Sequence, residues 1–454
     1  MNIAFAQVLS PAVGRLLRKP PLGSLAVLFV LGHLAWLAYA GRVAGSWDRE
    51  ISPDALQYVT LAGNLVEQGQ FTLDGSTPSA RREPGYVAFI APFVSLGLVR
   101  PHDPVFANVW PVLVCQVLLY GAAAWGLARF SACRFGPLAG LLCLLFTQVW
   151  WGLFVYQYRL LSECVTMVSL AGAWLAIGDW QRLKSSWLAL VGGALLLGYA
   201  CLTKSIFVMT MPLLMLLMWL RGGVPLFRSA VFAVVVLAMP LAWTARNYHH
   251  FGLPIMGSID GVSSLYRGNV LPFTQIPSPD EPEMPQEAKA ALAGMTSDVE
   301  RYQWYKSHAM EIMREDPVRY ARQCLNRVVY MVTDFDVANT PSWRVLLLFK
   351  NDHFMVMLLL ALHLPALLRR NRRDFYVEAA LLLSAACLSL YSLVYGETRY
   401  MVPCLFVMAP LYASAAANLV VRPILKRLMP SLPLDAGLGS DGWKDGGAGE
   451  LSVI

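Results

Sequence analysis

The residues from Leu22 to Ala40 read LGSLAVLFVLGHLAWLAYA, with one histidine and no charged side chain. An α-helix rises 1.5 Å per residue, so about 20 residues cross a hydrocarbon layer roughly 30 Å thick. This run is long enough to do so. It is too long for the apolar segment of a secretory signal, and it lacks a convincing small-residue cleavage site. Arg15, Arg18 and Lys19 precede it. It reads as a retained first helix with a basic flank.

Nine further apolar runs follow the first, at 22–41. They lie near 106–130, 136–153, 161–178, 187–203, 205–220, 229–245, 352–368, 376–394 and 401–421. The composition agrees: 57% of the 454 residues are hydrophobic and 14% charged, and the mean hydropathy is +0.51. A soluble domain carries roughly 25% charged residues. The sequence therefore predicts an all-α polytopic membrane protein with about 10 transmembrane helices. One more stretch, Tyr86 to Val99, is apolar but short and follows Pro84-Gly85, so it reads as an interfacial or re-entrant helix.

The net charge of +7 and pI near 9.0 do not call for a nucleic acid partner. In membrane proteins Lys and Arg gather in cytoplasmic loops. With the N-terminus inside, the inner segments hold Arg129 and Arg134, Arg182 and Lys184, Arg221 and Arg228, the arginines 369, 370, 372 and 373, and then Arg422, Lys426 and Arg427. Every inner segment is basic. Counting 86–99 as a span would reverse all later loops and break that pattern. Both termini are thus expected in the cytoplasm. The eight cysteines are scattered with no CxxC pair, which excludes a zinc knuckle or disulfide framework.

Two long segments then fall outside, Arg42 to Val105 and Asn247 to about Asn351. The second begins with a Pro- and acid-rich loop, Pro277 to Glu287, followed by a helical stretch from Val299 to Val332. That stretch is amphipathic and broken at Pro317, as expected of helices lying on a membrane surface. The transmembrane unit is expected to cover 1–421, and 422–454 reads as a Gly- and Ser-rich disordered tail. No internal repeat is visible.

Polar groups crowd the outer ends of the runs, where an ionisable side chain marks a site by its cost. Ser52-Pro53-Asp54 is a helix start: Ser52 caps, Pro53 suits the first turn, and Asp54 favours the positive end of the dipole. Asp54 and Tyr58, four apart, share one face with Leu61 and Leu65, and Gly69 ends the helix. Asp48 and Glu50 are neighbouring acids. Other outer-end groups are Arg82 and Glu83; Tyr156, Tyr158, Arg159 and Glu163; Lys204; Arg246 and Asn247; Tyr266, Arg267 and Asn269; and Glu397, Arg399 and Tyr400. Each has a plain alternative: Asp54 as a helix cap, a lone cation snorkelling to the interface. Several cations at outer ends, where the topology rule does not ask for them, suit an anionic ligand held by phosphate clamps.

The motifs have a family likeness. They are DALQYVTLAGNLVEQGQF from Asp54, REPGY from Arg82, LLSE from Leu160, LTK from Leu202, WTARNYHHFG from Trp243, LYRGN from Leu265 and GETRYMVP from Gly396. In this order they resemble the GT-C superfamily of membrane glycosyltransferases, above all the bacterial branch related to protein O-mannosyltransferases and lipid A aminoarabinose transferases. The resemblance implies a polyprenyl-phosphate sugar donor, transfer with inversion to a lipid, glycan or protein acceptor, and an active site on the periplasmic face of a bacterial inner membrane. It implies Asp54 as the base and Arg82, Lys204, Arg246, Arg267 and Arg399 as donor-phosphate ligands. Tyr58, Glu83, Arg159, Glu163, Asn247, Asn269, Glu397 and Tyr400 are the expected supporting groups. Glu83 stands where many relatives carry another residue. No cofactor is firmly implied, and a divalent metal is allowed without a ligand cluster that demands it. A lipid-linked-glycan ligase or polymerase, a secondary transporter of an anionic substrate and a non-catalytic assembly subunit are the competing readings.

Overall fold

The computed structural model describes residues 19–43, 52–101, 109–270, 284–295, 297–333, 352–370, 374–396 and 398–428. Asp48, Glu50, Glu397, the 277–283 stretch and the tail beyond 428 lie outside the described residues. Among the described residues, twenty α-helices follow in chain order. They are α1 (Leu22–Val43), α2 (Pro53–Gln68), α3 (Pro84–Ser95), α4 (Trp110–Phe135), α5 (Pro137–Val149) and α6 (Trp151–Phe154). Then come α7 (Ser162–Ile177), α8 (Trp180–Ser185), α9 (Trp187–Thr203), α10 (Ile206–Met209), α11 (Met211–Leu220), α12 (Leu226–Phe251) and α13 (Asp260–Val270). The remainder are α14 (Gln286–Ala293), α15 (Asp298–Glu315), α16 (Pro317–Thr333), α17 (Asp352–Arg370), α18 (Phe375–Val394), α19 (Thr398–Ala416) and α20 (Arg422–Leu428). Among the described residues there is no β-strand, only an isolated bridge between Thr72 and Pro78. The protein is an all-α polytopic membrane protein.

Each of the ten apolar runs coincides with helix, but the lengths are unequal. Among the described residues, five stretches are long and apolar enough to cross a membrane: Leu22–Ala40, Trp110–Phe135, Leu226–Phe251, Phe375–Val394 and Arg399–Leu428. A sixth crossing would be α5 with Trp151–Tyr158, which meet at a 61° bend. The runs at 161–178, 187–203, 205–220 and 352–368 give shorter apolar helices. The 205–220 run is divided between α10 and α11 at Thr210. The short helices are bounded by polar groups, α7 at Ser162-Glu163 and α9 at Thr203-Lys204.

The layout is set by burial. α19 is the central helix, buried throughout from Met401 to Ala415, whereas α1 lies at the rim with few buried residues. α19 packs on α4, α5, α7, α17 and α18. One end of the bundle is basic and tied by Arg134–Asp374 and Arg221–Glu378 ion pairs. The opposite end carries the two long connecting segments. Exposed aromatics mark both ends, Trp187, Trp219 and Phe227 at the basic end and Trp36, Tyr39, Trp110 and Tyr248 at the loop end. Such rings favour the membrane interface.

Close contacts fix the depth of the loop-end site. A Cβ on Gly198 would lie 2.8 Å from the Val236 carbonyl, and one on Gly257 would lie 2.1 Å from Ser205 Oγ. Gly257 in turn accepts a 2.8 Å hydrogen bond from Trp243 Nε1. Gly198 to Ser205 and Val236 to Trp243 are equal steps along the chain. α9 and α12 therefore run parallel and level. Lys204 then sits about 9 Å below Tyr248 along the helix axis. The end of α9 is recessed beneath the interfacial ring, and α3 fills part of the space above it. A Cβ on Gly85 would lie 2.6 Å from Thr203 Cγ2. Only a glycine lets α3 approach α9 this closely. The short stretch after Pro84 thus packs on its neighbours and, at 12 residues, does not cross.

Candidate functional site

The start of α2 forms as its sequence dictates. Ser52 Oγ accepts from the Ala55 amide at 3.2 Å, and Gly69 ends the helix at φ 69°. This sets Asp54 and Tyr58 on one face, turned toward the segment that precedes α3. Arg82 sits between them. Its Nη2 donates to Asp54 Oδ1 at 2.5 Å, its Nε to Gln57 Oε1 at 2.8 Å, and its guanidinium lies 5.6 Å from the Tyr58 ring centre. A second carboxylate brackets it: Asp260, the first residue of α13, lies 3.2 Å from Arg82 Nη1. Arg399, at the start of α19, stands 3.6 Å from the other Asp54 oxygen.

A second pair lies beside the first. Lys204 Nζ contacts Glu163 Oε1 at 2.9 Å and stands 5.3 Å from the Tyr400 ring centre. Arg399 approaches the same ring at 5.3 Å, and Tyr400 stacks on Tyr391. Glu163 is 2% exposed, and its Oε2 has no hydrogen-bond partner among the described residues. Ser205 Oγ donates to Glu83 Oε1 at 3.2 Å, so Glu83 closes the side of the recess formed by α9. The product is a cationic wall of Arg82, Arg399 and Lys204, with acids facing it.

Charge state follows from this geometry. Burial works against the Asp54 carboxylate, but Arg82, Arg399, the Arg82 hydrogen bond and Lys204 outweigh it, so Asp54 is held below the usual carboxylate range. For Glu83 and Asp260 the balance reverses. Burial pushes both upward, and the cations offset it only in part: Lys204 and Arg82 for Glu83, Arg82 and Arg267 for Asp260. Three carboxylates on shared cations thus differ in basicity.

Not every expected residue joins this cluster. Arg246 donates to the Ser79 carbonyl at 2.9 Å and the Phe71 carbonyl at 3.2 Å, and lies within 5.5 Å of the ring centres of Phe71, Trp243 and Phe251. Its contacts anchor the 71–79 hairpin rather than face the acids. Asn247 bonds Arg246 and the Ile255 carbonyl, and so fastens the turn after α12. Arg159 lies over Tyr156, while its carbonyl accepts from Gln116. Asn269 accepts from Arg327 at 3.1 Å. Arg267 reaches the cluster through its charge on Asp260. Sequence reasoning missed Asp260, Gln57 and Asp298. Asp260 and Asp298 each begin a helix, and a helix-start acid carries no signal that separates capping from ion pairing. Among the described residues, no three His, Cys, Asp or Glu side chains are grouped to hold a metal ion.

No family model matches the chain, and no curated protein does. Among solved structures, the crystal structure of ArnT from Cupriavidus metallidurans bound to undecaprenyl phosphate matches over 87% of this chain and 79% of that chain, at 14% identity and a TM-score of 0.35. The overlap is too loose to carry a residue role or an activity from that protein to this one.

Proposed function

We propose that the protein is a glycosyltransferase that moves a sugar from a polyprenyl-phosphate donor to a lipid, glycan or protein acceptor, with inversion, at the periplasmic face of a bacterial inner membrane. The observation that carries this reading is the Asp54 carboxylate set among Arg82, Arg399 and Lys204 in a recess below the interfacial aromatics. A lipid-borne phosphate brings a negative charge to that depth on an apolar tail, and a wall of cations stabilises it as it leaves. Attack by a hydroxyl needs a carboxylate to take its proton. Asp54, ionised at neutral pH, fills that role once the donor phosphate draws Arg82 away from it. Tyr58 and Tyr400 hold the cations in place from beneath. The basic end of the bundle lies in the cytoplasm, with 1–421 as the transmembrane unit and 422–454 as a cytoplasmic tail. No step is assigned to a metal.

A transporter would set its polar site near the bilayer midplane between repeated halves; these charges sit at helix ends. The test is chemical. Lipid extracts from cells lacking the protein, or carrying only Asp54→Asn, should accumulate one polyprenyl-phosphate sugar that the parent consumes. Identical lipid-linked sugar pools in all three strains would sink the reading. An accumulated oligosaccharide in place of a single sugar would favour a ligase or polymerase.

A further inference from the structure

Asp298 begins α15, 219 residues away in sequence from Ser79, the first group it binds. Its carboxylate accepts three hydrogen bonds from consecutive residues of the first outer segment: Ser79 Oγ at 3.0 Å, the Ala80 amide at 3.3 Å and Arg81 Nε at 3.1 Å. These residues lead directly into Arg82 and Glu83. The clasp is closed from the other side as well. The Ile259 amide donates to the Ala80 carbonyl at 2.9 Å, and Arg246 takes the Ser79 carbonyl. Ala80 is fully buried and Ser79 nearly so.

A helix does not need this arrangement in order to start. α15 already has a capping box, in which Ser297 Oγ accepts from the Val299 amide and Glu300 reaches back to the Ser297 amide. Asp298 is the next residue, and both of its oxygens turn away to the 79–81 strap. A carboxylate with two oxygens can accept all three donors at once; a carboxamide has one acceptor oxygen.

We infer that Asp298 is a positioning residue, which sets Arg82 and Glu83 against the donor phosphate from the second outer segment. It touches neither the phosphate nor the reacting atoms. The inference rests on the proposed polyprenyl-phosphate donor for its readout, but the clasp itself can be read without any ligand. The two outer segments form one unit at the 79–83 strap, and the affinity of the cationic wall for a lipid phosphate depends on that unit being intact.

The test uses the full-length protein purified in detergent as the parent, Asp298→Asn, Arg82→Ala and the double variant. Hydrogen exchange reads the strap, and titration with undecaprenyl phosphate reads the wall. In Asp298→Asn the Ala80 amide should exchange at least about tenfold faster while α15 stays protected, because the helix keeps its Ser297–Glu300 cap. Undecaprenyl phosphate should bind about tenfold more weakly to Asp298→Asn, and the same change should add nothing on top of Arg82→Ala, since coupled residues are non-additive. A general structural role would make the two losses add, and that result overturns the inference. Unchanged exchange at Ala80 overturns it too. If the parent does not bind undecaprenyl phosphate, the donor reading fails, and the exchange arm still decides the clasp.

Discussion

Asp54 is the residue whose chemistry can be tested most directly. Asp54→Asn keeps the side-chain size and leaves the Ser52 cap of α2 untouched. Arg82 retains Asp260 and Gln57, so no buried guanidinium is stranded. Insertion and folding should therefore survive. Transfer should fall by at least about a hundredfold, the low end of general-base catalysis. Turnover near the parent level in the purified variant would return Asp54 to the role of a helix acid. Glu83 gives a pH-dependent prediction. Burial raises its folded pKa above the unfolded value. Its contribution to stability is fully present in acid and is lost as pH rises through the folded pKa. Glu83→Gln removes that titration. The variant should match the parent in melting temperature near pH 4 and exceed it at pH 7. A difference independent of pH would show that Glu83 does not titrate in that interval. Asp54 and Tyr58 were legible in sequence because helix periodicity places i and i+4 together. The partnership of Asp54 with Arg82 and Asp260 was not, because it joins three segments that meet only after folding.

The helices show where such reading stops. Apolar length located each membrane helix but not its end point, because nothing in hydropathy shows that α9 stops beneath α3. The break at Pro317 and the capped start of α2 were readable, since both depend on a few adjacent residues. Arg327 was not. It lies on α16 among apolar residues, is 1% exposed, and donates to the carbonyls of Ser392 and Gly268 and to Asn269. A surface helix was foreseen, but its one deeply buried cation serves to dock it on α18 and α13. The α3–α9 contact supplies the element-scale prediction. A methyl at residue 85 would meet Thr203 and the Leu202 backbone at under 3 Å. Overpacking of this kind costs about 1–3 kcal/mol, and it would push Arg82 and Glu83 off the wall. Gly85→Ala should lower both the melting temperature and transfer. Gly32→Ala in α1, with nothing within 4 Å of the new methyl, should change neither. Equal behaviour of the two variants would remove the close crossing as the reason for a glycine at 85.

At the scale of the whole molecule the recess has meaning only if the loop end faces the compartment that holds the donor. The basic end gathers Arg134, Arg182, Lys184, Arg221 and Arg228, several of them bound to neighbours at the same end: Arg134 to Asp374, Arg221 to Glu378, and Arg228 to the Leu183 carbonyl. Positive residues in short loops hold their end of a bundle in the cytoplasm. The cations of the loop end are drawn onto Asp54, Asp260 and Glu163. Reporter fusions after Gly75 and after Pro277 should therefore report the periplasm, and a fusion after Arg373 the cytoplasm. The Pro277 fusion is the most informative. It follows seven expected crossings, and an error of one in treating the short helices α7, α9 and α11 or the bent α5–α6 pair would reverse it. The level packing of α9 against α12 requires both to run the same way, so α10 and α11 together must return the chain to the basic end before α12 begins. A cytoplasmic signal at Pro277, with Gly75 still periplasmic, would mean that one of those short helices does not cross. The Asp260 and Asp298 segment would then lie across the membrane from Arg82, and the 3.2 Å ion pair between Asp260 and Arg82 could not form.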